Sequence, residues 1–273
     1  RLERLKSRSD MSTIKVLFFG DIVGPLGREA VKAYLSQHRE RDSIDFVIAN
    51  GENTTHGHGC SLEHYRQLKS CGIDCITSGN HFFNNPDSIK CASEMQDQIR
   101  PYNLDPAVPG KGVKTFTLKN GVTISVINLI GRVFLPMTQS NPFYALDEIL
   151  KTLNSDIIFV DFHAEATAEK RCLAEYAKGR VTAVIGTHTH VQTNDAKILT
   201  NGTFFLTDAG MNGAYDSSLG VELDGAIYRT VTGIPSLNAI PRKGRKLVNA
   251  VSLVIDIEQK KVIEYSLINE VMC

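Results

Sequence analysis

The chain carries no excess charge of either sign: 30 basic residues stand against 30 acidic ones, for a formal net charge of zero. Duplex nucleic acid would meet no global positive field, although a local groove could still take a short oligonucleotide. Long apolar runs are missing as well. No segment approaches the roughly 18 consecutive apolar residues of a membrane span, and no basic, apolar, small-residue stretch resembles a secretion signal. A cytoplasmic protein is the expectation. No Cys-x-x-Cys pair occurs among the six cysteines, and Cys71 and Cys75, four apart, have no second pair to complete a zinc cluster. Small buried thiols in a reducing compartment are expected instead. Internal repeats, low-complexity tracts and clear linkers are also lacking.

What is present is ordinary in bulk: 273 residues, 42% hydrophobic and 22% charged, enough to bury a large α/β core. Residues 1–10 are polar and basic and precede Met11. They are read as an expression remnant or a disordered arm, and 11–273 as a single domain. Apolar runs at 14–19, 44–49 and 74–78 alternate with helical patterns near 26–39, 62–71 and 86–98, which predicts a parallel sheet with crossover helices. Asn120-Gly121 between 113–119 and 122–128 predicts a hairpin. Further on come helical patterns at 143–153 and 165–178, strands at 157–162, 181–186 and 203–206, and a closing hairpin of 248–257 with 262–268. Residues 207–246 are poor in periodicity and rich in Gly, Asn, Asp and Pro, as functional loops are. Two mixed sheets with helices outside is the resulting expectation.

Polar clusters stand at the ends of these apolar runs: Gly20-Asp21, Gly51-Glu52-Asn53, Gly79-Asn80-His81, His163, and Gly186-Thr187-His188-Thr189-His190. Side chains at the carboxyl ends of strands point into a shared crevice, so residues tens of positions apart can converge there. Carboxylate, carboxamide and imidazole donors suit manganese, iron or zinc. Asp21, Glu52, Asn53, Asn80, His163, His188 and His190 are too many ligands for one ion and about right for two, with Glu52 as the bridge. Each has a structural alternative: Asp21 could cap a helix, Glu52 and Asn53 could order a turn, and His163 could be a hydrogen-bonded core residue. Capping alone does not predict His-x-His beside such carboxylates. An extended backbone would turn His188 and His190 to one side and Thr189 to the other.

These blocks resemble the calcineurin-like metallophosphoesterases, in the order Gly-Asp, Gly-Asp, Gly-Asn-His, a lone His and Gly-x-His-x-His. Two departures, Val23 where the superfamily has a histidine and Glu52-Asn53 in the second block, are similar to the bacterial YmdB-like branch. So are Ile127-Asn128-Leu129-Ile130-Gly131-Arg132, Thr207-Asp208-Ala209-Gly210-Met211 and Tyr215-Asp216. The resemblance implies a four-layer α/β/β/α sandwich and hydrolysis of 2′,3′-cyclic nucleotides and related phosphodiesters. It also implies two divalent or mixed-valence ions, iron or manganese foremost and zinc as a further option. Asp21, Asn53 and His190 would hold one ion; Asn80, His163 and His188 would hold the other.

Attack by a hydroxide shared between the ions then leaves the departing alkoxide in need of a proton, and His81, next to Asn80, is the expected general acid. Arg132 and the 54–59 loop, with Thr54 and His56, are candidates for phosphate or base contacts; a surface ion pair is the equal alternative for Arg132. The expected partner is a small nucleotide phosphodiester, with no membrane and no duplex nucleic acid. A homo-oligomer and an RNA-processing or signalling partner remain open. The competing readings are a phosphomonoesterase or nuclease on the same core, or a nucleotide-binding regulatory or scaffold protein.

Overall fold

A computed structural model describes residues 13–273; the expectation for residues 1–10 and the assignment of Met11 lie outside the described residues. Twelve strands form two six-stranded sheets. In the first, β1 (Thr13–Ile22), β2 (Phe46–Asn50) and β3 (Cys75–Thr77) run parallel. On the other side of β1 lie β10 (Met211–Ala214) and the antiparallel pair β11 (Lys246–Asp256) and β12 (Lys261–Met272). The second sheet orders β4 (Val113–Thr117), β5 (Thr123–Ile130), β6 (Ile157–His163), β7 (Ala183–Thr187), β9 (Phe204–Leu206) and β8 (Lys197–Ile198). Both sheets are mixed.

Alternation explains the layering. Val16, Phe18 and Ile48 of one sheet and Val126, Phe159, Ile185 and Phe204 of the other form a shared core between the sheets. Leu17, Phe19, Val47 and Ala49 point the other way, onto α1 (Gly24–His38) and α2 (Leu62–Ser70). Ile127, Leu129, Val160 and Phe162 likewise meet α4 (Pro142–Thr152) and α5 (Thr167–Ala177), past the single turn α3 (Asp87–Lys90). The result is the four-layer α/β/β/α sandwich. No helix among the described residues is long and apolar enough to cross a membrane.

Three expectations need correction. The pattern at 86–98 yields only α3, because the backbone beyond it is recruited as an extension of the sheet: Ile76 N donates to Asp97 O and Ile99 N to Ile76 O, both at 2.8 Å. Tertiary pairing overrides a weak helical preference there. The stretch 207–246 is less irregular than its composition suggests, since it holds β10 and α6 (Leu223–Thr232). β10 has four residues, too few for a period to register, and α6 buries only Ala226. Among the thiols, only Cys60 and Cys75 are buried; Cys71 and Cys91 are half-buried and Cys172 and Cys273 exposed, all six free.

Candidate metal centre

The strands deliver their polar ends to one place because their backbones touch where side chains would not fit. A Cβ on Gly20 would lie 1.9 Å from Gly210 O, and one on Gly186 would lie 1.8 Å from Thr207 O. Gly79 is tighter still in its consequence: a Cβ there would sit 2.2 Å from Glu52 Oε2 and 2.3 Å from His163 Cδ2. Glycine before each of these polar blocks is thus a packing requirement.

Two foci result. At one, His163 Nε2 lies 2.9 Å from Asn80 Oδ1, 3.1 Å from Glu52 Oε1 and 3.0 Å from His188 Nδ1. A single ring nitrogen has at most one proton to donate, so these contacts cannot all be hydrogen bonds. Glu52, His163 and His188 bring one ligand atom each within 4.8 Å of one another. Separations near 3 Å are the edge lengths expected of donors sharing a cation at bonds of about 2.0–2.2 Å. At the other focus, His190 Nε2 lies 3.2 Å from Asn53 Oδ1 and 3.9 Å from Asp21 Oδ1. Asp21 Oδ1 is fully buried and has no hydrogen-bond partner among the described residues. An orphaned carboxylate oxygen 3.9 Å from a nitrogen of each of two histidines, His190 and His163, is what a cation site looks like from the protein side. The donor set fits divalent metal ions.

The supporting bonds fix orientation. His163 Nδ1 pairs with Thr187 Oγ1 at 2.9 Å, and that hydroxyl donates to Asp161 Oδ1 at 2.6 Å. Nε2 is thereby turned toward Asn80 and Glu52. His188 Nε2 meets Glu165 Oε2 at 2.9 Å, and His190 Nδ1 meets Leu219 O at 2.9 Å. His188 N donates to Asp21 Oδ2 at 3.1 Å, which joins the two sheets directly. Thr189 turns away and donates from Oγ1 to Asp208 Oδ2, which also takes the buried Lys170 Nζ, each at 2.8 Å.

The predicted extended geometry of His-x-His is not what occurs: β7 stops at Thr187, and His188 and His190 have φ of 107° and 64°. Both lie in a region that side chains rarely adopt. The backbone turns because Asp21 and Asp208 capture successive amides of the segment, those of His188 and Thr189.

Burial drives the electrostatics. It raises Asp21's carboxyl to about 7 despite His190 and His163. At Glu52 burial acts upward, but the charge and hydrogen bond of His163 outweigh it and depress the carboxyl. His163 is the reciprocal case, with burial opposed and overcome by Glu52 and Asp21, so its pKa rises. His188 is pushed down to about 3 by burial and by His163. A neutral imidazole with a free lone pair is the form that ligates a metal; His188 is held in that form, whereas His163 would give up its proton on binding one.

Above the foci opens a cavity of about 350 Å³ lined by Glu52, Asn53, His81, His188 and His190, with Glu165 and Arg229 on its wall. His81 is half-buried, its backbone N–H on Glu52 Oε2 at 3.1 Å and its Nδ1 3.3 Å from Asn84 Oδ1. Thr54 is fully buried, with no partner for Oγ1 among the described residues. His56 lines an adjoining cavity, and Arg132 is exposed and does not line either. Sequence reasoning missed Glu165, Asp161, Thr187 and Arg229 as functional residues. Glu165 and Asp161 flank His163 by two positions each, which by itself does not mark them; Arg229 lies on α6, whose Leu223, Ala226, Ile227 and Val231 at helical spacing are a signal that can be read in the sequence.

The family model described as YmdB-like protein matches residues 17–268. A relative from Bacillus subtilis (strain 168), named 2′,3′-cyclic-nucleotide 2′-phosphodiesterase, is 41% identical over 94% of this chain and 98% of its own length. A solved Mycoplasma pneumoniae structure described as a novel phosphatase is 36% identical, with a TM-score of 0.89 over 95% of this chain and 94% of that one. A crystal structure of a hypothetical protein from Thermus thermophilus gives the same identity and TM-score, over 95% of this chain and all of that one.

Proposed function

Because the chain belongs to the YmdB-like family, we propose that it is a dinuclear-metal phosphodiesterase acting on small nucleotide phosphodiesters, foremost 2′,3′-cyclic nucleotides. The reading is carried by the crowding of Asn80, Glu52 and His188 around His163 Nε2. The activity named for the Bacillus subtilis relative supports the substrate class. Asn80, His163 and His188 would hold one ion, Asp21, Asn53 and His190 the other, and Glu52 would lie between them. Iron or manganese suits the mixed oxygen and imidazole set best, with zinc also compatible. When bound, such ions neutralise phosphate charge and supply a nucleophilic water at neutral pH.

The protein's own groups do the rest. Asp161, through Thr187, holds the His163 ring in place, and Glu165 does the same for His188. Arg229, on the cavity wall and bonded through Nη1 to Ser236 O at 3.3 Å, is placed to bind a phosphate oxygen. His81 faces the same space and donates a proton to the departing oxygen.

The test is metal analysis of freshly purified protein, followed by assays of 2′,3′-cyclic, 3′,5′-cyclic and monoester nucleotides with manganese or reduced iron. Preferential turnover of the 2′,3′-cyclic compounds is expected. Preference for monoesters would make it a phosphomonoesterase. Absence of turnover throughout would overturn the enzymatic reading.

A further inference from the structure

The cavity over the candidate metal ligands adjoins a second one. Asn238 lines both, and the neighbours Val221 and Glu222 line one each. The second cavity, of about 810 Å³, is walled by Arg28, His56, Glu222 and the segment from Leu237 to Lys243. Its charge departs from that of the molecule. The whole chain is neutral, yet this wall brings Arg28, Arg242 and Lys243 against a single carboxylate, Glu222.

These cations are available. Arg242 and Lys243 are exposed and make no ion pair or side-chain hydrogen bond among the described residues. Arg28 is half-buried and also has no carboxylate partner there. It donates from Nη1 to Thr54 O at 2.6 Å and from Nε to Gln67 Oε1 at 2.8 Å. Arg28 is thus fastened beside the ligand Asn53 with Nη2 uncommitted.

The wall is also anchored. Ile240 covers Gly24 and Gly57 so closely that a Cβ on either would lie 2.5 or 2.7 Å from it. Glu222 N donates to Ala239 O at 2.8 Å, and Ser236 Oγ to Gly225 O at 2.7 Å. A cavity of about 350 Å³ is at the small end of ligand sites, whereas the adjoining one is full-sized. The first accommodates the reacting phosphodiester, and the second has room for a further nucleotide. Guanidinium and ammonium groups without carboxylate partners are suited to phosphate, and the exposed His56 ring offers a surface on which a base can stack.

We propose that the Arg28–Arg242–Lys243 cavity binds a second, non-scissile phosphate of the substrate, so that short oligonucleotides ending in a cyclic phosphate are used in preference to mononucleotides. The inference rests on the phosphodiesterase reading above. Its test compares 2′,3′-cyclic AMP with the dinucleotide ApA carrying a terminal 2′,3′-cyclic phosphate, in the wild type and in an R242A/K243A variant. The wild type is expected to show the lower KM for the dinucleotide. The double substitution should raise that KM about tenfold more than the mononucleotide's and flatten its salt dependence. Equal KM values in the wild type, or equal losses for both substrates, would overturn the subsite.

A binding measurement separates the two readings. The 5′-phosphorylated dinucleotide pApA should bind the manganese-loaded protein about tenfold more tightly than AMP, and the double variant should lose that margin. Tighter pApA binding without hydrolysis of either cyclic substrate would overturn the phosphodiesterase reading and leave the subsite standing. Hydrolysis without a binding margin would do the reverse.

Discussion

His81 shares the cavity wall with four of the metal-ligand candidates, yet among the described residues its ring has Asn84 Oδ1, at 3.3 Å, as its polar partner and packs edge-on against the His58 ring. A group so placed can reach substrate without holding a cation. His81→Ala should therefore cut turnover by about 10²–10⁴-fold while the bound metal per chain stays unchanged. Metal analysis beside kinetics checks this, and parallel loss of metal and activity would make His81 a ligand. At this scale the convergence of the candidate site is largely legible in the sequence, since Asp21, Glu52, Asn80, His163 and His188 each end or follow an apolar run that a sheet would align. Glu165 and Asp161 escape notice because a lone carboxylate beside a ligand looks like any polar residue until its partner is known. That partner is His188 for Glu165 and Thr187 for Asp161.

Turns between elements set the finer geometry. Gly79 links β3 to the Asn80 and His81 segment at a point where the smallest side chain would strike Glu52 and His163. Gly79→Ala should abolish metal retention yet leave the far-ultraviolet circular dichroism near that of the wild type. Full metal occupancy in that variant would refute the packing argument. The segment following α3 is held differently. Asp97 accepts from Lys69 at 2.8 Å and Lys114 at 2.6 Å, joining α2 to β4. Burial acts upward on its carboxyl, but the two ammonium groups outweigh it and lower the pKa below 3.8. A depressed acid contributes stability above its unfolded-state pKa and loses it as pH falls through the folded one. The melting-temperature gap between wild type and Asp97→Asn should accordingly be largest near neutrality and close as pH falls below about 4; a constant gap would show that the charge is irrelevant. This ion pairing also explains why the helical pattern at 86–98 misleads: its last residues serve a neighbouring strand and two lysines. Periodicity reports local preference and is silent about such claims from elsewhere in the chain.

Across the described residues, two sheets close face to face over an apolar layer, and the candidate ligands come from both. Asp21, Glu52, Asn53 and Asn80 belong to or follow strands of the first sheet; His163, His188 and His190 belong to or follow strands of the second. Phe159, fully buried in that layer, is part of the apolar core and not of the ligand set. Phe159→Ala should cost about 3–5 kcal/mol through lost burial and a cavity, measured by denaturant unfolding at fixed metal concentration. A loss below about 1 kcal/mol would mean that the sheets collapse into the space. The layered class is readable from alternation of apolar runs. The order of strands is not, because nothing near Thr13–Ile22 announces that its partners are residues 246–256.

That pairing has a temporal consequence. β1 is an interior strand, flanked by β2 and by β10 and β11, and seven of its residues pair with the penultimate strand. A chain emerging from the ribosome can seat one edge of its first strand on β2 early, but the other edge, over Thr13–Phe19, stays unpaired until residue 256 is free. The second sheet, whose strands span 113–206, can assemble earlier. The first sheet is then completed after the second, and a polypeptide cut short before β11 would retain every candidate metal-binding side chain while leaving β1 with an unpaired edge over Thr13–Phe19.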